Sequence, residues 1–126
     1  MRVLVCGGRD YADAEHVNAT LDALNARGPI TCIVHGAASG VDTLAARWAE
    51  AHEVYVHAYP AQWKRYGKRA GPLRNADMLD DSPVLVLAFP GGRGTADMVR
   101  RAKAANVPVM EVPPNVASRV SPTEGV

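Results

Sequence analysis

Three times in this chain a short apolar run stops at a glycine-bearing turn and gives way to helical spacing. The runs are RVLVC (2–6) before Gly7-Gly8, ITCIV (30–34) before His35-Gly36, and VLVLAF (84–89) before Pro90-Gly91-Gly92. Runs of this length fit strands, and the unbroken apolarity of VLVLAF fits a central strand of a parallel sheet, covered on both faces. Two weaker runs complete the series: EVYVHA (53–58), whose alternation is partly polar, and PVMEV (108–112). Helical periodicity fills the intervals. It runs from about Asp13 to Ala26, with Val17, Leu21 and Leu24 on one face and Gly28 as the stop. Leu44, Ala45, Trp48, Ala49 and His52 form the stripe of a second helix, a short helix covers Pro72 to Asp80, and a last one runs from Ala96 to about Ala105. Strand and helix in alternation mean βαβ units. The chain is therefore read as α/β: a single Rossmann-like doubly wound domain over residues 1–112, with a mostly parallel five-stranded sheet and helices on both faces. The tail PPNVASRVSPTEGV (113–126) lacks periodicity and reads as a poorly ordered end.

Length and charge narrow the function. A chain of 126 residues has room for one core and little else. A net charge of +1 advertises neither nucleic acid nor membrane as a partner. No apolar stretch approaches the ~20 residues of a membrane span, and MRVLVCGGRD lacks the apolar core of a secretory signal, so a cytoplasmic protein is expected. Cys6 and Cys32 each sit inside an apolar run and read as reduced core thiols. The four histidines (His16, His35, His52, His57) are scattered, and neither C-x-x-C nor H-E-x-x-H occurs, so no metal and no other cofactor is expected.

In parallel sheets ligands bind outside the carboxyl ends of the strands, where strand order reverses. Three glycine-bearing turns fall at such ends: Gly7, Gly8, Arg9 and Asp10; Gly36 through Ser39 and Gly40; and Gly91, Gly92, Arg93, Gly94 and Thr95. Glycine lets backbone approach a ligand closely, and a helix N-terminus beyond it attracts anions. The same glycines also serve tight connections, but three turns on one sheet edge favour a binding site. Neither G-x-x-x-x-G-K-[ST] nor G-x-G-x-x-G is present. The segment QWKRYGKRAGPLRN (62–75) carries Lys64, Arg65, Lys68, Arg69 and Arg74 and no acid, so the remaining residues carry −4 against a total of +1. Arg74 and Asn75, just inside the expected helix, suit phosphate binding. Trp63 and Tyr66 suit either stacking on a base or packing under the loop. Thr95 reads as an N-cap and Asp97 as a first-turn acid complementing the dipole.

GGRDY (7–11), HGAASGVD (35–42), QWKRYGKRAGPLRNADML (62–79) and AFPGGRGTADM (88–98) together resemble the SLOG superfamily, which includes the LOG-type phosphoribohydrolases and the DNA-processing protein DprA. They resemble most closely its YspA-like (cpYpsA-related) branch. The resemblance implies a nucleotide or nucleotide-derived ligand and a homodimer, with Gly91, Gly92, Gly94 and Thr95 as the phosphate turn and Arg74 beside it. In the LOG-type motif PGGxGTxxE the glutamate serves N-glycosidic hydrolysis of a nucleoside 5′-monophosphate, and here its position holds Met98. Methionine cannot stabilise an oxocarbenium-like state or activate water. Asp97, one residue and ~100° of helix away, or Asp42 or Asp10 would have to act with Arg74. Nucleotide binding is therefore the leading expectation, N-glycosidic hydrolysis the alternative, and a single-strand binding module the third.

Overall fold

In the computed structural model, which describes residues 1–114, β1 (Arg2–Cys6) lies at the centre of one sheet. It pairs with β2 (Cys32–His35) on one side and β4 (Leu85–Ala88) on the other. β3 (Tyr55–Ala58) continues beyond β2 and β5 (Val109–Glu111) beyond β4; every pair is parallel, giving the order β3-β2-β1-β4-β5. From residue 115 onward the expected tail lies outside the described residues.

Successive residues of a strand face opposite ways. Val3 and Val5 pack with α1 (Ala14–Arg27) and α2 (Val41–Ala51) through Val17, Leu21, Val41, Ala45 and Trp48. After α3 (Trp63–Tyr66), a single turn, the chain forms a 3₁₀ turn (Gly67–Arg69), α4 (Ala70–Asp80) and, beyond β4, α5 (Arg93–Ala104). Leu4 and Cys6 face that second layer, where Cys32, Val34, Met78, Val86, Ala88, Met98 and Ala102 complete the cluster. Each buried Val or Leu contributes about 1.5–3 kcal/mol relative to exposure, which fixes both faces of β1 and β4 at once. Cys6 and Cys32 are both buried, unpaired thiols in that layer. β3, an edge strand, has all four residues exposed, which explains its partly polar alternation.

Three boundaries differ from the sequence reading. β2 begins at Cys32 rather than Ile30, because the Ile30 N–H is spent on Asn25 Oδ1 (2.8 Å) in the connection from α1. α4 begins two residues before Pro72, whose missing N–H costs nothing among the first four unpaired donors of a helix. α5 begins at Arg93 rather than Ala96: Gly92 holds the cap position, so Thr95 is a first-turn residue and not the N-cap, and Asp97 lies beyond the first turn rather than in it. His52, expected on the buried stripe of α2, instead caps its C-terminus and stacks on Trp48 (4.1 Å between centroids).

The far end of α4 is tied to the sheet, which fixes the helix that carries Arg74. The Asp81 Oδ2 atom accepts from the Tyr59 hydroxyl (2.8 Å) and pairs with His57 Nδ1 (2.8 Å), while Oδ1 accepts from Arg2 Nη1 (2.9 Å). No helix among the described residues is long and apolar enough to cross a membrane.

Candidate functional site

From β1 the chain builds outward through β2 and β3, then returns to lay β4 against the other side of β1. The strand order therefore reverses between β1 and β4, where Gly7-Gly8 and Pro90-Gly91-Gly92 leave the sheet. A cavity of about 930 Å³ opens there, within the size range of small-molecule sites.

The three glycine turns do not play equal parts. The Gly8 N–H donates to the Pro90 carbonyl (2.8 Å), the Val41 N–H to the Gly8 carbonyl (3.2 Å), and Ser39 Oγ to the Arg9 carbonyl (3.1 Å). Gly40 has φ +76°, and a Cβ there would lie 2.1 Å from the Gly8 oxygen, so two constraints demand glycine at once. Asp42, 6% exposed, closes the second turn by accepting from the Gly36 N–H (3.0 Å) and the Ala38 N–H (3.2 Å). The first two turns thus spend their polar groups largely on one another. The third is open. α5 has no side-chain cap and no acid in its first turn, and a Cβ on Gly92 or Gly94 would meet nothing within 4 Å. Its first N–H groups have no partner inside the helix, and with the dipole they suit an anion. Thr95 folds back over Gly91, where a Cβ would lie 2.2 Å from Thr95 Oγ1.

Four cations border the cavity: Arg9, Lys68, Arg74 and Arg93. Arg74 donates through Nη1 to the Gly36 carbonyl and through Nε to Asn75 Oδ1 (3.1 Å). Asp77, three residues along the helix, does not pair with it. Burial pulls the Arg74 pKa down, against the charge of Asp42, yet a guanidinium stays protonated. Asn75, 4% exposed, donates from Nδ2 to the Gly94 carbonyl (3.1 Å) and to Asp97 Oδ2 (3.0 Å), joining α4 to the first turn of α5.

The acids are less available. Asp97 borders the cavity, but Arg101 Nε (2.8 Å), Arg100 and Asn75 take its carboxylate. Burial pushes its pKa up, and these hydrogen bonds outweigh that, holding it below the ordinary carboxylate value. Burial raises Asp42, against its backbone donors and His35, and lowers His35. His35 Nδ1 accepts from the Ala37 N–H (2.9 Å), so this histidine serves the turn. Cys6, near Asp42, is pushed up to about 12 by burial and that charge, which leaves it a thiol. Asp10 is exposed at the cavity rim.

Of the residues singled out in the sequence, Gly7, Gly8, Arg9, Gly36, Asp42, Arg74, Asn75, Gly91, Gly92, Arg93, Gly94, Thr95 and Asp97 all border this cavity. Ser39 borders a smaller neighbouring pocket and Gly40 braces the turns from behind. Met98 is fully buried in the second layer of the core, so the side chain at the motif's glutamate position faces away from the site. Lys68 and Trp63 were not separated in the sequence from their exposed neighbours; Gly67 and Gly71 hide the periodicity that would have aimed them. Lys64, Arg65 and Tyr66 do not border the cavity, and Tyr66 lies beneath the Arg65 guanidinium (5.1 Å).

A parallel sheet in this order, with a switch-point crevice and an open helix N-terminus, defines a Rossmann-like α/β domain. Similarity agrees with that class and refines it. The model of the YAcAr family (YspA, cpYpsA-related SLOG family) matches residues 1–66, which include the first two glycine turns and Trp63. The gene 61 protein of Mycobacterium phage D29 is 38% identical over 117 residues, covering 86% of this chain and 94% of that protein. The chain belongs to the YspA, cpYpsA-related SLOG family. In fold it is similar to DNA processing protein A (DprA) from Streptococcus pneumoniae, with a TM-score of 0.72 and 22% identity over 98% of this chain. It spans 54% of that DprA chain, about half its length.

Proposed function

We propose that this domain binds a nucleotide or nucleotide-derived small molecule, with its phosphate on the Gly91–Thr95 turn and the N-terminus of α5. The observation that carries the reading is the uncapped N-terminus of α5 at a cavity ringed by Arg9, Lys68, Arg74 and Arg93. Two of the three bordering carboxylates, Asp42 and Asp97, are held by hydrogen bonds, so positive charge dominates what a ligand meets. Isothermal titration against nucleoside mono-, di- and cyclic phosphates tests it. Binding that weakens with salt and with Arg93→Ala supports the reading; no binding by any of them at millimolar concentration refutes it.

The engagement of Asp97 and Asp42 supports a binding role over N-glycosidic hydrolysis, which needs a carboxylate at the sugar. Chromatography after long incubation with nucleoside 5′-monophosphates is expected to show no free base, and enzyme-dependent release of base reverses that preference. The DNA-processing description belongs to DprA. For this chain, a net charge of +1 speaks against a nucleic-acid module, and a gel shift on a single strand at low salt checks it. A cytoplasmic homodimer completes the reading, and sedimentation velocity measures the assembly.

A further inference from the structure

Trp63 is 47% exposed, yet it is not a loose surface side chain. The single turn α3 is held by the Arg65 and Tyr66 N–H groups, both donating to the Gln62 carbonyl (3.0 Å each), and Gly67 follows with φ +55°. The edge of the Trp63 ring rests on α4 at Gly71, where a Cβ would lie 3.4 Å from Trp63 Cη2, at ordinary van der Waals contact. The Arg9 guanidinium stands 5.4 Å from the ring centroid. The ring borders the 930 Å³ cavity, and with Arg9 and Arg74 it also borders an adjoining pocket of about 320 Å³. A large aromatic surface is thus fixed, half bare, on the same cavity as the α5 anion cradle.

We propose that Trp63 is a stacking platform for the aromatic base of the ligand, so that the site selects nucleotides over sugar phosphates of the same charge. This rests on the proposed phosphate site and adds the group at the ligand's other end. A ring with a guanidinium over it suits a nucleobase: stacking is tolerant of base identity, and the cation adds to it. A sugar phosphate has no flat face to offer the ring. Specificity then divides between two elements, with α5 reading the anion and α3 reading the ring.

The chain has two tryptophans, and Trp48 is 2% exposed, so ligand-induced quenching reports on Trp63. Fluorescence titrations of the full chain with the 5′-monophosphates of adenosine, guanosine, cytidine and uridine, and with ribose 5-phosphate, make the test. At least one nucleotide is expected to quench the emission and to bind about 5- to 150-fold more tightly than ribose 5-phosphate. By calorimetry, Trp63→Ala should abolish that advantage and leave ribose 5-phosphate affinity within about twofold, and Trp63→Phe should retain most of it. If ribose 5-phosphate binds as tightly as every nucleotide, or if Trp63→Ala weakens both equally, the platform is refuted while the phosphate site stands. If none of the five binds, the platform is refuted, and the phosphate site is decided by the nucleoside di- and cyclic phosphates.

Discussion

Gly36→Ala is the sharpest test of how the site is built. Gly36 does not use the left-handed backbone, so alanine is conformationally allowed there. Space forbids it: the new Cβ would lie 2.3 Å from Arg74 Nη1, 2.8 Å from Cζ and 3.2 Å from Cδ, where ordinary contact begins at 3.4 Å. The nearest obstacle is the end of a flexible side chain, so the guanidinium should withdraw by about 1 Å while the turn stays in place. Withdrawal breaks the charged hydrogen bond to the Gly36 carbonyl and loosens the one to Asn75 Oδ1. Hydrogen bonds to charged groups contribute about 1.5–3 kcal/mol; with Arg74 half buried, a loss of about 1–2 kcal/mol is expected. For a domain of this size that lowers Tm by roughly 3–10 °C. In an Arg74→Ala background the clash is gone, and Gly36→Ala should be neutral or should stabilise by about 0.4–1 kcal/mol through the unfolded chain. Calorimetric melts of the wild type, both single variants and the double variant complete the cycle. If the two costs simply add, Arg74 is not the group that Gly36 admits, and the described guanidinium position is wrong.

Other expectations follow from the same geometry. Met98→Glu places a carboxylate at a fully buried position among Leu4, Val34 and Val86; it should cost more than about 3 kcal/mol in a denaturant melt and release no free base. A stable, well-folded Met98→Glu protein would contradict the burial. The Tyr11 hydroxyl is buried without a hydrogen-bond partner among the described residues, so Tyr11→Phe should hold or raise Tm, by up to about 1 kcal/mol in stability; a clear loss would reveal a partner. Asp97 and Asp81 are both held below the ordinary carboxylate value, so their contribution is present above about pH 4 and lost as pH falls through their folded pKa values. Asp42 is raised and acts in the opposite sense, its contribution declining as pH rises through its folded value. Urea melts from pH 2.5 to 7 should show a steeper acid limb for wild type than for Asp97→Asn, and identical limbs would exclude the proposed pairing.

The layout of the sheet was legible because burial leaves a continuous mark. β4 is apolar on both faces since two helical layers cover it, and β3 is mixed since it is an edge. The start of α5 was misplaced because Thr95 has the side chain of a cap, whereas the turn is set by backbone at Gly91 and Gly92. The convergence of three glycine turns could likewise be read from strand ends. Their unequal use could not, because it depends on bonds such as Val41 N–H to the Gly8 carbonyl, between residues far apart in sequence. No local pattern announces that such a turn is already occupied.

The same distinction decides what ADM (96–98) means after the third glycine turn. One residue of helix is ~100° of rotation, so Asp97 and Met98 cannot serve the same side. The helix turns Asp97 to the cavity and Met98 to the core. A carboxylate therefore does border the site, although the motif would have placed it one position later. It is nevertheless held by Asn75, Arg100 and Arg101, and Asn75 also grips the Gly94 carbonyl at the start of α5. An unneutralised acid in this position would repel an incoming phosphate; a paired one braces the cradle instead. Asp42 repeats the arrangement on the second turn, where its carboxylate organises backbone N–H groups. The site thus keeps its acids for construction and leaves Arg9, Lys68 and Arg93 at the cavity without a carboxylate partner among the described residues. That division of charge suits holding an anion, and it is the physical reason to place binding ahead of catalysis in this chain.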